Sequence, residues 1–543
     1  MKKKHFWAGP LFMLLIFQIS CGTPGNEEEK PEAERPNIVF IMTDDHSYQT
    51  LSAYDDRFIE TPNIDRIAEE GVKFVNSFVG NSICAPSRAT LLTGKHSHKN
   101  GQIDNRTTFD GSQPTFPKYL RETGYQTALI GKWHLRSTPT GYDHWDRLIG
   151  QGDYYNTEFI TNGDTSQTDG YVTDVITDRS LEWLENRDSN RPFALQIHHK
   201  AVHRIWMPDT SLLSPDGPEP FTLPAMEGGE DQAPADPNKL AGMPATFFDD
   251  YEGRRAASEQ KMSIAEDMDL VYDLKMLDED GELQTKYRKA YANGRYSRLN
   301  EEQKAVWDAY YDPIIEDFMD RREQMSDIEL ARWKYQRYMR DYLKTVQSVD
   351  KNVGRVLDYL KENGLYENTL VVYTSDQGFY MGEHGWFDKR FMYEQSMRTP
   401  LLMKFPEGMD TRREVDELVQ NIDYAPTLLD LAGVKVPEDM QGRSMVPLVQ
   451  DADTDWRDAL YYHYYEFPNE HMVKRHYGIR TDRYKLIHFY NDIDDWELYD
   501  LKEDPMEMND LYGKEGYEEL TEQLKARLAE LQEQYDDTDR STY

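Results

Sequence analysis

Short, continuous apolar runs recur along the chain and are separated by segments with helical spacing. Ile38-Val39-Phe40-Ile41-Met42 is the clearest run, and strands that are apolar on both faces are typical of a parallel sheet covered by helices. Similar runs predict strands at 126–130, 193–197, 369–374 and 401–405. Helical spacing predicts helices at 63–70, 117–123 and 425–432. This pattern predicts an α/β fold with a large mixed, mostly parallel sheet flanked by helices.

The later part of the chain departs from this pattern. Residues 209–325 are polar with Pro-rich loops, and we expect a long insertion with short helices over the core. Ser326 and Glu329 form a capping box, which opens a helix with apolar positions Tyr335, Tyr338, Met339, Tyr342, Val346, Val349, Val353, Val356 and Leu360. Strand-like runs at 459–466, 477–481 and 484–489 precede a helix with Leu520, Leu524, Leu528 and Leu531. We therefore expect a main α/β domain over 35–450 and a C-terminal antiparallel sheet plus helix over 451–543.

The N-terminus has the layout of an export signal. Lys2-Lys3-Lys4 precedes an apolar run centred on Leu11–Phe17, which is too short to span a bilayer. Ser20-Cys21 at its end resembles a bacterial lipobox, so we expect a signal peptide over 1–20, lipidation at Cys21 and a solvated tether over 21–34. An ordinary cleaved signal peptide is the alternative. If Cys21 is lipidated, we expect the protein to be exported and held on the bacterial outer membrane by a lipid anchor alone. It would face the periplasm or the cell surface.

The net charge and the cysteine content limit the partners and the cross-links that the protein can have. The formal net charge of the 543-residue chain is −37 and its sequence pI is near 4.8, which excludes a nucleic-acid partner. An anionic substrate therefore requires a local cluster of cations. The two cysteines of the chain are Cys21 and Cys84, and with both modified we expect no disulfide.

Polar residues of catalytic type follow four of the predicted strands. They are Asp44-Asp45, Lys132 with His134, His199 with His203, and Asp376-Gln377. Because ligands bind at the carboxyl ends of strands in open α/β sheets, these residues predict one site. Hard cations such as Ca²⁺ and Mg²⁺ bind carboxylate and amide oxygens, so a metal at this site would be Ca²⁺ or Mg²⁺.

The segment Cys84-Ala85-Pro86-Ser87-Arg88-Ala89-Thr90-Leu91-Leu92-Thr93-Gly94 fits C-x-P-S-R-x-x-x-L-T-G. This is the signature of the formylglycine-dependent sulfatases of the alkaline phosphatase superfamily, and the chain resembles that family. Gly-Lys-Trp-His at 131–134, His-Lys-Ala-Val-His at 199–203 and Gly-Glu-His-Gly at 382–385 extend the resemblance. The segments TGKHSHKNGQIDNR at 93–106, HKAVHRIWMP at 199–208 and ELYDLKEDPMEMNDL at 497–511 make the chain look like the N-acetylglucosamine-6-sulfatase or mucin-desulfating branch.

The resemblance implies the chemistry of the site. A maturation enzyme converts Cys84 to formylglycine, whose hydrate attacks sulfur and later expels sulfate. One divalent cation, usually calcium, is held by Asp44, Asp45, Asp376, Gln377 and the formylglycine oxygen. Relatives have Asn or His where Gln377 stands, and a proline where Val202 stands.

The same resemblance assigns roles to the cations and histidines of the motifs. Arg88 shares a helical face with position 84. Lys132 neutralises developing charge, and Lys389 binds sulfate and assists the departure of the leaving group. His134 removes a proton when sulfate is expelled, and His203 protonates the leaving alcohol. Lys132 and His134 are two residues apart, so an extended segment would point both to one side. His199 is a weaker candidate.

Two further groups are candidates for substrate binding. His384 faces the substrate or is a hydrogen-bonding residue of its loop. His471, Lys474, Arg475 and His476 form a basic cluster that grips a uronic acid or second sugar, or is a solvated turn.

We therefore expect a sulfuric ester hydrolase that acts on a sulfated polysaccharide or glycosaminoglycan-like saccharide. The alternatives are a sulfatase of marine algal polysaccharides such as ulvan, a formylglycine phosphodiesterase or phosphonate hydrolase, and a non-catalytic glycan-binding surface protein.

Overall fold

The computed structural model describes residues 1–3, 5, 35–213, 243–411, 413–452 and 454–538. The apolar run of the predicted signal peptide, Cys21 and the tether over 21–34 lie outside the described residues. Arg35–Tyr543 form one compact unit, distinct from Met1–Glu34. Among the described helices, none combines the length and the apolar character that are needed to cross a bilayer.

The first strand among the described residues begins at Asn37. The strands are, in chain order, β1 (Asn37–Thr43), β2 (Val72–Phe74), β3 (Ser77–Phe78), β4 (Gln126–Gly131), β5 (His144–Leu148), β6 (Glu158–Thr161), β7 (Asp164–Gln167), β8 (Phe193–His198), β9 (Thr369–Ser375), β10 (Leu401–Lys404), β11 (Glu414–Val415), β12 (Val419–Gln420), β13 (Ala459–Tyr464), β14 (His476–Thr481), β15 (Tyr484–Phe489) and β16 (Asp495–Asp500).

The α-helices connect and cover these strands. They are α1 (Pro62–Glu70), α2 (Cys84–Thr93), α3 (Ser97–Asn100), α4 (Phe116–Glu122), α5 (Val172–Asn186), α6 (Arg255–Ser258), α7 (Arg288–Gly294), α8 (Glu301–Arg321), α9 (Asp327–Glu362), α10 (Glu394–Met397), α11 (Tyr424–Leu431), α12 (Val446–Val449) and α13 (Glu518–Gln534).

The main sheet has ten strands in the order β11-β2-β10-β9-β1-β8-β4-β5-β6-β7. Its centre, β9-β1-β8-β4-β5, is parallel, whereas β10, β6 and β7 pair antiparallel with their neighbours. Along β1, Val39 and Ile41 pack into one hydrophobic core, while Phe40 and Met42 pack into a second core. Since successive side chains of a strand point to opposite faces, helices cover both faces of the sheet. The predicted mixed, mostly parallel α/β sheet is confirmed.

The described part of the predicted insertion contains one long helix. The helices α6 and α7 are short, as expected, with 4 and 7 residues. The helix α8 was not expected: it has 21 residues and begins with a capping box between Asn300 and Gln303. Pro313 lies inside α8, and an internal proline normally ends a helix pattern. Trp307 and Tyr311 of α8 pack into the same core as Val39 of the main sheet. The insertion is therefore an integral part of the core.

The C-terminal part forms a four-stranded antiparallel sheet in the order β13-β14-β15-β16. Leu524, Leu528 and Leu531 of α13 pack against this sheet together with Ile479 and Leu486. This confirms the predicted antiparallel sheet with one helix. The structure adds β16, which the sequence analysis did not identify.

Candidate active site

The four predicted strand ends lie side by side at one edge of the main sheet. Asp376 follows β9, Asp44 follows β1, His203 lies in the loop after β8, and Lys132 follows β4, and these strands are adjacent in the order β9-β1-β8-β4. Asp45 and Gln377, which are 332 residues apart, are in direct contact here. The parallel sheet thus gathers distant polar residues at its carboxyl edge, as open α/β sheets do.

Cys84 is the first residue of α2. Ile83, which precedes it, is extended and provides no side-chain cap, and the N–H of Ala85 in the first turn donates instead to Asn105 Oδ1 at 3.1 Å. The Cys84 side chain is 1 % exposed, and its thiol donates to Asp44 Oδ1 at 3.3 Å. Burial raises the pKa of this thiol, and the charge of Asp44 raises it further. Unmodified Cys84 is therefore a neutral thiol and a weak nucleophile.

Asp44 and Asp45 are each paired with a buried lysine. Lys132 donates to Asp44, and Lys389 donates to both carboxylate oxygens of Asp45 at 2.6 and 2.7 Å. Burial alone would raise the pKa of Asp44, but Lys132 and the other nearby cations hold it well below the usual range. Burial likewise disfavours the charged form of Lys389, but Asp45 raises its pKa well above the usual value. Burial raises the pKa of Asp45, although Lys389 opposes this effect, so the turn after β1 presents a charged Asp44 and a lysine-paired Asp45.

Arg88 joins α2 to the end of β9. It lies one helical turn after Cys84, its Nε donates to Asp376 Oδ2 at 2.9 Å, and its Nη1 donates to the carbonyl of Lys132 at 2.9 Å. Asp376 Oδ1 accepts from the backbone N–H of Asp45 at 3.2 Å. Asp376 is therefore tied to Arg88 and to the turn after β1.

Asp44, Asp45, Cys84 and His203 form a group of potential metal ligands. One donor atom from each lies within 4.8 Å of the others. Gln377 donates its amide N–H to Asp45, whereas its Oε1 is buried without a partner among the described residues. Because the oxygen and nitrogen of an amide can be exchanged without changing its shape, Oε1 can instead face this group. Two carboxylates and an amide oxygen suit a hard divalent cation, so these residues fit the predicted metal site.

His134 lies at the site, but not in the way that its spacing from Lys132 predicts. Its φ is 59°, in the left-handed region, so the segment is not extended and the expectation of an extended segment was wrong. Burial lowers the pKa of His134 well below its usual value, and Lys132 lowers it further, with Asp44 acting in the opposite direction. Its Nδ1 has no hydrogen-bond partner among the described residues. His134 is thus a neutral base close to Lys132 and Asp44.

His203 has one ring nitrogen directed to Asp45. Its Nε2 is 3.6 Å from Asp45 Oδ2, and its Nδ1 is 2.5 Å from the carbonyl oxygen of Arg204. A protonated Nδ1 that donates to this carbonyl leaves Nε2 for exchange with the site. Burial lowers the pKa of His203, and Asp44 counteracts this effect. His199 is buried, which lowers its pKa to about 4, and the charge of Asp174 in α5 opposes this effect.

His384, the candidate for substrate contact, lies in a buried aromatic cluster. Its Nδ1 is 2.8 Å from Asp249 Oδ2, and its ring packs beside Trp386 and Tyr393. The side chain has no exposed surface. The structure thus places His384 as a contact between the 382–389 loop and the insertion.

The predicted basic cluster is not one cationic surface, because each of its members has a partner within the protein. Lys474 pairs with Glu259 at 3.0 Å, and Arg475 pairs with Asp492 at 2.7 Å. Fully buried His476 uses both ring nitrogens, since Nδ1 is 2.8 Å from the carbonyl of Lys474 and Nε2 accepts from the N–H of Met392.

His471 is the member of this cluster that is linked to the candidate site. Its Nε2 is 3.2 Å from Asp388 Oδ2, and Asp388 precedes Lys389 in the chain.

Several polar side chains that the sequence analysis did not select lie near Lys389. Arg390 donates to Asp388, while Arg390 Nε, Tyr464 Oη and both carboxylate oxygens of Glu466 are buried without partners among the described residues. Glu466 is 3 % exposed. Buried polar atoms normally have hydrogen-bond partners, so this cluster offers partners to a polar ligand or to water. The position of Glu466 just after β13 is the sequence signal that could have identified it.

Comparisons with known proteins agree with this geometry. The family model "Sulfatase" matches residues 36–434, and the model "N-sulphoglucosamine sulphohydrolase, C-terminal" matches residues 382–534. The chain is 49% identical over 527 residues to an N-acetylglucosamine-6-O-sulfatase from Bacteroides thetaiotaomicron, which covers 96% of this chain and 89% of the relative. An ulvan-active sulfatase from Formosa agariphila is 24% identical and covers 94% of this chain and 89% of the relative.

A solved structure is also similar along its whole length. It superposes with a TM-score of 0.86 at 48% identity, covers 94% of this chain and 100% of that chain, and is described as a complex with its substrate D-glucosamine-2-N,6-O-disulfate.

Proposed function

The chain belongs to the sulfatase family, and from this premise we propose that its substrate is a 6-O-sulfated glucosamine, N-acetylated or N-sulfated, within a glycan. Two comparisons support the choice of sugar: the relative at 49% identity is named for N-acetylglucosamine 6-O-sulfate, and the similar structure holds a glucosamine with a 6-O-sulfate. The ulvan-active relative is only 24% identical, so it favours an algal substrate less strongly.

The observation that carries this function is the position of Cys84. It begins a helix and contacts Asp44, and three buried cations surround it: Arg88, Lys132 and Lys389. A sulfate ester is anionic and gains negative charge on its leaving oxygen, so it needs a preorganised cationic enclosure that excludes water. A protein that only binds a glycan has no need for this arrangement.

We propose that position 84 carries formylglycine, whose hydrate supplies the nucleophilic hydroxyl that the neutral thiol lacks. Asp44, Asp45 and Gln377 would hold one divalent cation, with Asp376 and His203 beside them. Ca²⁺ is favoured over Mg²⁺ because oxygen donors from several loops suit its flexible coordination. When bound, the cation polarises the sulfate and lowers the pKa of the attacking hydroxyl.

The remaining residues of the site bind charge or move protons. Arg88, Lys132 and Lys389 bind the sulfate oxygens. His203 holds Nδ1–H against the carbonyl of Arg204, so only its doubly protonated imidazolium form, which the negative charge of Asp44 favours, carries a proton on Nε2 that can pass to the leaving alcohol. His134 is neutral and has an unpaired Nδ1, which suits it to accept the proton that is released when sulfate departs.

Recognition of the sugar falls to the polar cluster beside Lys389. Arg390, Tyr464 and Glu466 hold unpaired buried atoms, and a carboxylate with two free oxygens accepts hydrogen bonds from neighbouring sugar hydroxyls. An apolar surface would not discriminate between sugars in this way, because specificity comes from buried polar groups that are left unpaired with the wrong ligand.

The test is sulfate release from defined substrates by protein that was produced together with a formylglycine-generating enzyme. The substrates are N-acetylglucosamine 6-sulfate, D-glucosamine-2-N,6-O-disulfate, ulvan oligosaccharides and an aryl phosphate diester. Mass spectrometry of the peptide that contains Cys84 reports its conversion, and the Cys84→Ala variant is the control.

Release from the two glucosamine substrates alone supports the proposal. Release only from ulvan, or hydrolysis only of the phosphodiester, would replace it with the corresponding alternative. Converted protein that releases no sulfate from any substrate, yet binds the sugars, would make the chain a glycan-binding protein.

We also propose that the protein is exported and anchored through lipid on Cys21. The support is the basic start and short apolar run that precede Ser20-Cys21. Metabolic labelling with a fatty-acid analogue tests this proposal. Label that survives the Cys21→Ala substitution would contradict it, and protease treatment of intact cells distinguishes surface from periplasmic display.

A further inference from the structure

Two exposed arginines are hydrogen-bonded to backbone carbonyls of segments that border the candidate site. Neither takes part in the ion pairs of the site, and we call them the rim arginines. Arg106 and Arg136 are both exposed. Arg136 donates Nε to the carbonyl of Asn105 at 3.0 Å, and Arg106 donates Nη2 to the carbonyl of Pro468 at 2.9 Å. Neither forms an ion pair with any described residue. Each guanidinium therefore keeps most of its five N–H donors available.

Arg136 is held close to the reactive position. Asn105 Oδ1 accepts from the N–H of Ala85, the residue after Cys84, at 3.1 Å. The carbonyl of the same asparagine accepts from Arg136, and Arg136 lies two residues beyond His134. Asn105 thus connects the first turn of α2 to the Arg136 guanidinium.

Arg106 extends the same rim toward the sugar-recognition cluster. Its acceptor, Pro468, lies in the segment between β13 and β14 that also carries Glu466 and His471. His471 contacts Asp388, which adjoins Lys389. The neighbouring acids do not neutralise Arg106: Asp104 is occupied by the N–H groups of Arg106 and Thr107, and Glu470 is paired with Arg204.

We propose that Arg106 and Arg136 bind a second anionic group of the glycan, in addition to the 6-O-sulfate that is cleaved. The group is an N-sulfate on the same glucosamine or a carboxylate on an adjoining uronic acid, because both offer planar or clustered oxygens to a guanidinium fork. Unpaired arginines at the entrance matter more here than in a neutral protein, since a net charge of −37 repels polyanions. The proposal rests on the proposed function and narrows its substrate class to doubly charged glucosamine glycans.

The experiment measures KM and kcat of the mature enzyme and of three variants. Arg136→Gln and Arg106→Gln remove the charge of each guanidinium. Arg191→Gln is the matched control, because Arg191 is also exposed and bonded only to backbone carbonyls, those of Gly124 and Tyr125, and it precedes β8 at the opposite edge of the sheet.

Three substrates separate the possible sources of charge. N-acetylglucosamine 6-sulfate has no second anion, D-glucosamine-2-N,6-O-disulfate has one on the same sugar, and a disaccharide of uronic acid and N-acetylglucosamine 6-sulfate has one on the neighbour. We expect each rim variant to raise KM about 10-fold for at least one doubly charged substrate, with kcat unchanged and less than about 2-fold change for the first substrate. The substrate that responds identifies the source of the second anion.

Salt dependence gives a second readout that an unfolded or distorted variant would not mimic. Because salt screens the attraction of the two guanidinium groups, KM for the doubly charged substrate should increase more with ionic strength in the wild type than in Arg136→Gln and Arg106→Gln. Equal effects of a rim variant on all three substrates, or none on any, would overturn the proposal. Absence of sulfate release by the wild type from all three would instead overturn the proposed function.

Discussion

The hydroxyl of Tyr342 donates to the backbone carbonyl of Asp45 at 2.8 Å. The same hydroxyl accepts from the N–H of Ser47 at 3.0 Å, so one phenol from α9 spans the turn that carries Asp44 and Asp45. Asp45 has a φ of 64°, in a region where a residue other than glycine stays only when its surroundings hold it. The long helix α9 therefore fixes the backbone that presents the carboxylates of the site.

Replacing Tyr342 with phenylalanine should loosen this turn. We expect Tyr342→Phe to lower the free energy of unfolding by about 1–3 kcal/mol, because a buried N–H and a carbonyl lose their partner. Cation affinity should fall about 10-fold, since ligands that lose their support bind metal less tightly. Isothermal titration with Ca²⁺ and urea unfolding measure the two effects.

The matched control is Tyr338→Phe on the same helix. Its hydroxyl donates to the carbonyl of Tyr380 at 2.9 Å, away from the turn after β1. This variant should lose stability without losing cation affinity. Equal loss of affinity in both variants would mean that Tyr342 acts only through general stability.

Substitution of Cys84 by alanine should abolish catalysis and preserve the fold. Neither formylglycine nor a thiol is then available, so sulfate release should fall by more than about 10³-fold. The sulfur makes two weak hydrogen bonds, donating to Asp44 and accepting from Gln377 Nε2 at 3.7 Å, so the melting temperature should shift by only a few degrees, as about 1 kcal/mol would produce. Sulfate release comparable to that of the wild type would place the nucleophile elsewhere.

Removal of divalent cations should inactivate the mature enzyme. Dialysis against a chelator should abolish sulfate release, and Ca²⁺ should restore it at lower concentration than Mg²⁺ does, because carboxylate and amide oxygens from separate loops suit the larger ion. Activity that persists after metal analysis confirms a cation-free protein would contradict the proposed site.

Gln377 is expected to be a ligand through its unpaired Oε1. Gln377→Leu should therefore weaken Ca²⁺ binding by about 10-fold or more, whereas Gln377→Asn should retain part of the affinity because it keeps the amide. Direct titration of the apo protein measures both. Unchanged affinity in Gln377→Leu would mean that the amide only donates to Asp45.

Glu497 should make the stability of the C-terminal sheet depend on pH. Burial raises the pKa of Glu497 to about 8, even though the hydroxyls of Tyr393 and Tyr499 donate to its Oε2 at 2.8 and 2.9 Å. The pKa in the unfolded chain is about 4.3. Since the folded pKa is the higher one, the stabilising contribution is complete below about pH 4 and is lost as pH rises through about 8.

The Glu497→Gln variant should lack this pH dependence. Near pH 8 the variant should be more stable than the wild type by up to a few kcal/mol, because the wild type must then ionise a buried carboxyl group whose pKa is raised. Urea unfolding between about pH 5 and pH 8 measures the slope, and a glutamine at exposed Glu302 is the control. Parallel slopes for wild type and Glu497→Gln would show that Glu497 is ionised in the folded protein.

Local patterns were sufficient to predict most of the fold. The apolar run of β1 and the Ser326 capping box appear where they were expected, and position 84 and Arg88 lie on one helix, α2, as their spacing predicted. Each depends on residues that are close in the chain, so the sequence contains the whole signal. Pro313 shows the limit of this logic, because the packing of Trp307 and Tyr311 outweighs the local cost of a proline inside α8.

The residue types of the candidate site could also be predicted from the sequence. The motif that contains Cys84 and the polar residues after the strands define which groups are present, because parallel strands must end at a common edge. The comparisons confirm the family. The sequence could not pair these groups, since Lys132 and Lys389 were equally free to serve either Asp44 or Asp45.

Burial in the folded chain decides which partner each polar side chain has, and therefore which role it can play. The sequence predicted that His476 and His384 are candidates for ligand contact. In the structure the ring of His476 lies between two backbone groups, and His384 lies against Asp249. Glu466 belongs to no motif in the sequence, yet in the fold both of its carboxylate oxygens are buried beside the site without partners among the described residues. The chain therefore encodes its reactive groups and its strands locally. Whether a given polar side chain meets a carboxylate, a carbonyl or the substrate depends on contacts between residues hundreds of positions apart, which exist only once the sheet has formed.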